Sequence, residues 1–426
     1  MKSKKNGKEN KPKLISLFSG AGGMDIGFLL AGFEIIWAND VDENACESYT
    51  RNLQKHITCR DIAEVDIESV PNADIIIGGF PCQDFSVLGG SNRKGLLVKR
   101  GRLYKYFLKF VKAKMPAVFL AENVKGIKSA NRGLALKLIV RDFENLENVD
   151  LDKLDEAYSE ALINYDLEKT QENVLFNKSG NDRYAQPFYK IYTATVNFAN
   201  YGVPQLRERV LIIGIRNDIA KLHSFEFPEP LLLPSEYVTA GEVFDGKVIY
   251  NRSVCEIEYN NEIPKISSRT SEMLRAIPEG GNYKDLPENL SVKGLMSNIY
   301  RKLSYDKPSY TVIANGGGGT WGYHYQLPRT LTNRERARLQ TFPDWYVFDG
   351  GIGEVRKQIG NAVPPLGIMP FAFALKRVLA PEINEPSDPY LMEYKGFTER
   401  LKKARNSKFQ NTEFRFKALI KKPLII

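Results

Sequence analysis

Two residues of this sequence, a cysteine and a glutamate, are of types that could react directly with a substrate. Cys82 follows the apolar run of residues 75–77 and two glycines, and Glu122 directly follows the apolar run of residues 117–121. A cysteine near cationic groups can ionise and act as a nucleophile, and a carboxyl group can protonate or hydrogen-bond a substrate ring. Two other interpretations stay open here: Cys82 as a small core residue, and Glu122 with Asn123 as a helix-capping pair.

A glycine-rich turn near the start of the chain could hold a cofactor. Gly20, Gly22 and Gly23 follow an apolar run, and glycines there let the backbone approach a ligand closely. Asp40, at the end of the next run, could accept hydrogen bonds from both ribose hydroxyls of a nucleotide-like ligand. The full G-x-G-x-x-G pattern is missing, which favours adenosine without a diphosphate, and Asp61 could serve the adenine amino group. A tight turn without any ligand is the alternative.

Basic residues mark two further places. Arg207 and Arg209 alternate with Glu208 before the apolar run of residues 210–215, so both guanidinium groups could contact a phosphate or a ring carbonyl. The alternative is the charge pattern of an exposed edge strand. Residues 92–114 carry nine basic residues and no acidic one. Beside Cys82, such a run favours a loop and helix that grip a phosphate backbone.

The elements that must position these residues alternate along the chain. Strand-like runs occur at residues 14–18, 34–38, 73–77, 117–121 and 210–215, separated by helical stretches such as 24–31 and 104–114. This alternation predicts an α/β fold with a parallel sheet covered by helices on both faces. Open α/β sheets bind ligands at the carboxyl ends of their strands, so Cys82 and Glu122 should share one edge.

Composition limits the class of protein. The chain has 426 residues, 43% hydrophobic and 26% charged, which excludes a wholly disordered or fibrous protein. The net charge of +9 suits a polyanionic partner. Four cysteines without C-x-x-C spacing indicate a reducing, intracellular compartment without disulfides. Three scattered histidines predict no metal site. No apolar run approaches the roughly 18 residues of a membrane span, so we expect a cytoplasmic protein.

The charge and the order of strand-like and helical segments change several times along the chain. A basic tail covers residues 1–13. Residues 142–172 contain eleven acidic and two basic residues, which predicts a solvated, helical insertion reaching to about residue 185. From residue 221 the strand–helix rhythm is lost, which predicts a second domain over residues 221–329. Thr332 to Glu335 has the form of a capping box, so a helix should start there and run through Leu339. Residues 381–426 form a basic C-terminal extension.

In order, the motifs F-x-G-x-G-G, G-F-P-C-Q, E-N-V, Q-x-R-x-R and Q-I-G-N-A-V-P resemble those of the cytosine-C5 DNA methyltransferase family of bacterial restriction–modification systems. The resemblance covers about residues 14–140, 188–216 and 298–366. It implies a Rossmann-like, S-adenosylmethionine-dependent catalytic domain over residues 14–220 and 330–380, with a target recognition domain over 221–329. It also implies double-stranded DNA as the substrate, no membrane and no metal, and we expect a monomer that acts beside a cognate restriction endonuclease.

The resemblance assigns S-adenosylmethionine, whose product is S-adenosylhomocysteine, to a defined set of residues. Asp40 would bind the ribose and Asp61 the adenine, while Asn361 and Val363 would complete the pocket from the C-terminal side. Val41 departs from the family, because several relatives carry a tryptophan there against the adenine. The full set is Phe18, Gly20, Gly22, Gly23, Asp40, Val41, Asp61, Pro81, Leu103, Asn361 and Val363.

The resemblance also gives the catalytic residues their roles. Cys82 would add to cytosine C6, Glu122 would contact the ring N3 and the exocyclic amine, Arg209 would donate to O2, and Arg207 would be its neighbour. The cytosine must leave the duplex to be reached. The residues that would contact DNA are Ser86, Arg93, Lys94, Arg100, Gly317 and Trp321.

Target choice should lie within residues 221–329. The glycines at 316–319 resemble a recognition loop, with a structural glycine turn as the alternative. The sequence of residues 297–340 is similar to that of relatives acting on short GC-rich palindromes of the GGNCC kind. Three alternative functions stay open: a tRNA cytosine-C5 methyltransferase, a nicotinamide-dependent dehydrogenase, and a non-catalytic DNA-binding relative.

Overall fold

The computed structural model describes residues 11–80, 102–154, 188–292, 300–314, 322–381, 389–406 and 414–420. The strands within these ranges are β1 (Lys13–Leu17), β2 (Glu34–Asp40), β3 (Ile57–Cys59), β4 (Ile75–Gly78), β5 (Val118–Val124), β6 (Tyr189–Asn197), β7 (Gln205–Leu206), β8 (Glu208–Arg216), β9 (Val248–Ile249), β10 (Ser309–Tyr310) and β11 (Phe414–Arg415). The α-helices are α1 (Gly23–Leu30), α2 (Glu43–Asn52), α3 (Arg102–Lys114), α4 (Leu134–Glu144), α5 (Asn217–Ala220), α6 (Ala240–Phe244), α7 (Ser268–Ala276), α8 (Asn333–Leu339), α9 (Ile352–Asn361), α10 (Pro365–Leu379), α11 (Pro389–Asn406) and α12 (Lys417–Ile420).

The main sheet has seven strands in the order β3-β2-β1-β4-β5-β8-β6. The five predicted strands are confirmed as β1, β2, β4, β5 and β8. Their sequences are apolar because their side chains are buried against helices. β1 to β5 pair in parallel, as predicted. The predicted parallel sheet also has an antiparallel part, because β8 is antiparallel to both β5 and β6. Only a short connection separates β6 from β8, and a parallel pair needs a longer crossover.

The position of β8 also settles one alternative for the two arginines at its start. β8 lies between β5 and β6 rather than at the edge of the sheet. The interpretation of Arg207 and Arg209 as an edge-strand charge pattern is therefore wrong. Both side chains instead enter the space at the end of β5.

The capping box predicted at Thr332 is confirmed. Its Oγ1 accepts from the backbone N–H of Glu335 at 3.1 Å, and the Glu335 carboxylate accepts from the Thr332 N–H at 2.8 Å. α8 follows from Asn333 to Leu339. The turn after it contains Thr341 with a φ of 61°, and its hydroxyl accepts from the N–H of Leu366 at the start of α10.

The two ends of the catalytic region pack directly on each other through α1 and α10. A Cβ at Gly27 of α1 would collide with the backbone oxygen of Pro365 and the side chain of Ile368. The stretch Ile352–Leu379, which comprises α9 and α10, is apolar and long enough to cross a membrane by length and composition alone, a stretch that we had not expected. Since 83% of its most apolar window is buried inside the protein, it is a core element.

Two details differ from expectation. Cys46 of α2 and Cys59 of β3 form a disulfide, with Cα atoms 5.9 Å apart, although none was expected; their spacing matches no motif, and only the packing of α2 on β3 brings them together. Asp142 is buried beside the Tyr104 hydroxyl, and Phe143 and Leu154 belong to the core, so these three residues are not solvated, whereas Glu147, Asp150 and Asp152 are exposed. Residues 155–187 lie outside the described ranges.

The described part of the C-terminal extension is built into the fold. Tyr394 and Phe397 of α11 are buried, and the Tyr394 hydroxyl donates to the backbone oxygen of Tyr201 at 2.8 Å. β11 pairs in parallel with β9, which lies within residues 221–329. The end of the chain therefore contacts both proposed domains.

Candidate active site

A cavity of about 520 Å³ opens at the carboxyl ends of β1, β2, β4 and β5. Its wall is built from the glycine turn, the ends of these strands, Leu103 of α3, the end of α9 and the segment after it. The predicted site residues that line it are Phe18, Gly20, Gly23, Asp40, Val41, Leu103, Glu122, Arg207, Arg209, Asn361 and Val363. The structure thus brings together residues from both ends of the chain.

The glycine turn is shaped by residues in the left-handed backbone region. Gly20 and Gly22 have φ values of 53° and 72°. A Cβ at Gly22 would meet Tyr49 and Leu53, so this glycine permits packing against α2 rather than facing the cavity. A Cβ at Gly23 would collide with the backbone oxygen of Val363. The turn and the returning C-terminal segment therefore form one continuous wall.

Asp40 is held in place by three backbone N–H groups. Its Oδ2 accepts from Gly20 at 2.7 Å, and its Oδ1 accepts from Val41 and Asp42 at 2.9 Å each. Burial raises the pKa of Asp40 above its usual range, although these hydrogen bonds act in the opposite direction. A carboxylate has about four acceptor positions, so at least one remains for a ligand hydroxyl. This arrangement fits a ribose.

Asp61 lies elsewhere. Its Oδ1 accepts from the N–H of Ala63 at 2.9 Å and caps a short 3-10 helix after β3, and the side chain is exposed. Among the described residues that line the cavity, neither Asp61 nor Gly22 occurs. The structure therefore offers no support for an adenine contact from Asp61, which stays a prediction.

Glu122 and Arg209 form an ion pair inside the cavity. Arg209 Nε lies 2.8 Å from Glu122 Oε1, and the side chains are only 13% and 11% exposed. The contact is an ion pair rather than a hydrogen bond, because no N–H of the described residues is directed at Oε1. Glu122 Oε2 would lie 3.2 Å from a Cβ at Gly79, so the glycine leaves room for this carboxylate. A buried carboxylate oxygen that makes an ion pair but accepts no hydrogen bond is suited to accept one from a substrate N–H.

Asn123 anchors the strand end that precedes Cys82. Its side-chain amide donates to the backbone oxygen of Phe80 at 2.9 Å, and the Phe80 ring packs against Tyr104 and Phe107 of α3. Because Glu122 and Asn123 use their side chains in these contacts, their interpretation as a helix-capping pair is wrong.

Arg207 has a different environment from Arg209. It is 2% exposed, and its guanidinium donates to the backbone oxygens of Val312 at 3.1 Å and Gly360 at 3.2 Å. Burial, with the nearby charge of Arg209, lowers the pKa of Arg207 to about 9. These contacts indicate a positioning role for Arg207 rather than direct contact with a substrate.

A second, open cleft of about 450 Å³ shares Val124 and Arg209 with the first cavity. Lys125, Leu206 and Thr311 also line it. The first cavity therefore adjoins a second opening, which lies between the end of β5 and the segment that follows β10.

Comparison with known proteins identifies the family. Residues 12–149 and 167–377 match the model of the C-5 cytosine-specific DNA methylases. The chain belongs to this family. The type II methyltransferase M.NgoFVII of Neisseria gonorrhoeae is 43% identical over 95% of this chain and 97% of its own length. The type II methyltransferase M.BbvI of Brevibacillus brevis is 38% identical over 87% of this chain and 94% of its own length.

Solved structures show the same fold for this methylase. A DNA modification methyltransferase encoded within an E. coli prophage superimposes with a TM-score of 0.59 at 21% identity, over 87% of this chain and 99% of that one. The Dnmt2 methyltransferase of S. pombe superimposes with a TM-score of 0.52 at 15% identity, over 88% and 100% of the two chains. Family membership makes the chain a DNA cytosine-5 methyltransferase, and it implies S-adenosylmethionine as the methyl donor.

Eight predicted site residues of this methylase lie outside the described ranges, so their positions stay predictions. They are Pro81, Cys82, Ser86, Arg93, Lys94, Arg100, Gly317 and Trp321.

One buried carboxylate of the methylase was missed by the sequence analysis. Asp25, in the first turn of α1, lines the cavity and accepts hydrogen bonds from Tyr49 at 2.8 Å and Ser16 at 3.0 Å. The Tyr49 hydroxyl also lies 2.9 Å from His56 Nε2. Burial raises the pKa of Asp25 to about 6. An acidic residue two positions after the last glycine of the turn was the available signal.

Proposed function

We propose that this chain methylates C5 of a flipped-out cytosine within a short duplex sequence, as the modification enzyme of a type II restriction–modification system. The observation that carries the proposal is that the Glu122–Arg209 pair and the ribose-binding candidate Asp40 line one cavity. A base held by the pair and a nucleoside held by Asp40 would therefore be neighbours.

The cofactor residues have separate tasks in this mechanism. Asp40 would accept from a ribose hydroxyl, and the glycine turn would let the ligand lie close to the backbone. Val363 and Asn361 would close the opposite wall. Bound S-adenosylmethionine supplies an activated methyl group on a sulfonium sulfur.

The base-binding residues would make the cytosine ring reactive. Cytosine C5 is a poor nucleophile, and addition of the Cys82 thiolate to C6 converts the ring into an enamine that is nucleophilic at C5. Glu122 would donate to or protonate N3 and so favour this addition, while Arg209 would hold Glu122 and O2. After methylation, loss of the C5 proton re-forms the C5–C6 double bond and expels the thiolate.

The DNA must also be bound and deformed. Flipping a base costs a few kcal/mol of unstacking and unpairing, and the basic residues 92–114 are proposed to offset this cost through phosphate contacts. Recognition is assigned to residues 221–329, and the GGNCC-like target stays a prediction. The enzyme would act in the bacterial cytoplasm as a monomer beside a cognate endonuclease.

Bisulfite sequencing of DNA from cells that express the chain tests the proposal and maps the target. Purified protein with labelled S-adenosylmethionine should label unmethylated DNA and leave tRNA unlabelled. Label on tRNA alone would show that DNA is not the substrate. Cys82→Ser should abolish transfer and retain cofactor binding, whereas Cys255→Ser, at an exposed free cysteine, should retain activity. Methylation by the Cys82 variant would show that the nucleophile is misassigned.

A further inference from the structure

Two buried glutamines outside the base-binding pair connect three distant parts of the chain. Gln205 lies on β7 and Gln340 follows α8, and both are fully buried. Gln205 Nε2 donates to Gln340 Oε1 and to the backbone oxygen of Leu339, at 2.8 Å each. The two amides are therefore in direct contact.

At one end, this pair holds the segment of residues 309–314, which we call the recognition segment because it lies in the proposed recognition domain beside the open cleft. The segment runs alongside β7, with Ser309 paired to Gln205. Gln205 Oε1 accepts from the N–H of Val312 at 2.9 Å, and Arg207 donates to the Val312 oxygen at 3.1 Å. Both backbone polar groups of Val312 are thus bound to the catalytic domain.

At the other end, the pair holds the wall of the cofactor cavity. Gln340 Nε2 donates to the backbone oxygens of Ile359 at 2.7 Å and Ala362 at 3.1 Å. Arg207 donates to the oxygen of Gly360, between them. A Cβ at Gly360 would collide with the backbone of the recognition segment at residues 313–314. Gly360 and Ala362 line the cavity.

We propose that Gln205 and Gln340 are positioning residues that couple DNA recognition to cofactor binding. In a dry interior each broken hydrogen bond leaves an unsatisfied polar group, so the recognition segment and the cavity wall must move together or not at all. A duplex that fixes the recognition segment then favours the wall position that binds the cofactor. Coupling between two sites is reciprocal, so the cofactor must in turn order the recognition segment. This inference rests on the proposed function, because it needs a specific duplex.

The test measures the affinity of S-adenosylhomocysteine by calorimetry, with and without a duplex that carries the sequence found by bisulfite mapping. In the unaltered enzyme the duplex should tighten binding by about fivefold or more, and a scrambled duplex should not. Gln340→Met and Gln205→Met keep the side-chain length but make no amide hydrogen bonds. In each variant the effect of the duplex should fall below about twofold, and the double variant should show no further loss.

Gln358→Met is the matched control. Gln358 is also buried and lines the cavity, but it bonds Ser48 and the oxygen of Asp349 instead of the recognition segment. This variant should weaken cofactor binding equally with and without DNA. If the Gln205 and Gln340 variants behave in the same way, their role is only structural and the proposal is wrong.

A measurement on the unaltered enzyme guards against variants that fail to fold. Adding S-adenosylhomocysteine without DNA should slow amide hydrogen exchange of Val312 by about fivefold or more, as reciprocity requires. Unchanged exchange, or a duplex that leaves cofactor affinity unchanged in an enzyme that methylates DNA, overturns the coupling and leaves the proposed function intact.

Discussion

Replacement of Asp25 by asparagine should make the protein more stable at neutral pH. Burial raises the pKa of Asp25 from 3.8 to about 6, so the folded protein binds this proton more tightly than the unfolded chain. The ionised carboxylate therefore costs stability, and the cost grows as pH rises from about 4 to about 6. A shift of about two pKa units at about 1.4 kcal/mol each corresponds to about 3 kcal/mol above pH 7.

Asparagine has no proton to lose, so its variant should lack this pH dependence. Its amide oxygen can still accept from Tyr49, and its amide nitrogen can donate to Ser16, so the packing around the site is retained. Asp40 and His56, which also lie near this site, keep their own titrations in both proteins. The altered hydrogen bonds should offset about 1 kcal/mol of the gain.

Urea unfolding at a series of pH values provides the measurement. The difference in unfolding free energy between Asp25→Asn and the unaltered protein should increase by about 1 kcal/mol between pH 5 and pH 7 and then level off. Parallel curves for Asp25→Asn and the unaltered protein would refute the reasoning.

Three further predictions concern catalysis, the turn and the disulfide. Glu122→Gln should lower kcat by about 10²–10⁴-fold in a methyl-transfer assay, because an amide cannot protonate N3; unchanged kcat would exclude that role. Gly23→Ala should cost about 1–3 kcal/mol in urea unfolding and weaken S-adenosylhomocysteine binding, because the new Cβ meets the Val363 oxygen. The control Gly353→Ala, in open space on α9, should leave binding unchanged. Reducing the Cys46–Cys59 disulfide should lower the unfolding free energy by about 3 kcal/mol, and the double serine variant should show the same loss with no response to reductant.

The strands that carry the site were predictable because their signal is local. Buried parallel strands are short apolar runs, and residues 75–77 and 117–121 are such runs between polar segments. β6 was missed, since most of its side chains are partly exposed and its sequence shows no such run. Its pairing with β8 depends on three-dimensional packing, which cannot be inferred from a short stretch of sequence.

Site residues were predictable from the sequence only where they lie at or near the end of a strand. Asp40 ends β2 and Glu122 lies two residues before the end of β5, so topology alone brings them to one edge. The contacts of Arg207 were not predictable, because its partners, Val312 and Gly360, lie 105 and 153 residues away. Asp142 looked like part of an acidic surface, but its burial depends on the neighbouring Tyr104.

The closure of the cofactor cavity by the returning chain has a consequence for synthesis. The Tyr346 hydroxyl donates to the oxygen of Ala21, which lies 325 residues earlier. At about 5–20 residues per second, the glycine turn is synthesised roughly 16–65 s before this partner. Residues 221–329 are translated in that interval, between the two halves of the cavity. A chain cut short before Asn361 lacks part of the wall of this cavity, and a chain long enough to supply Asn361 already contains the region proposed to read DNA. We therefore expect fragments that end before Asn361 to bind no cofactor and to methylate no DNA.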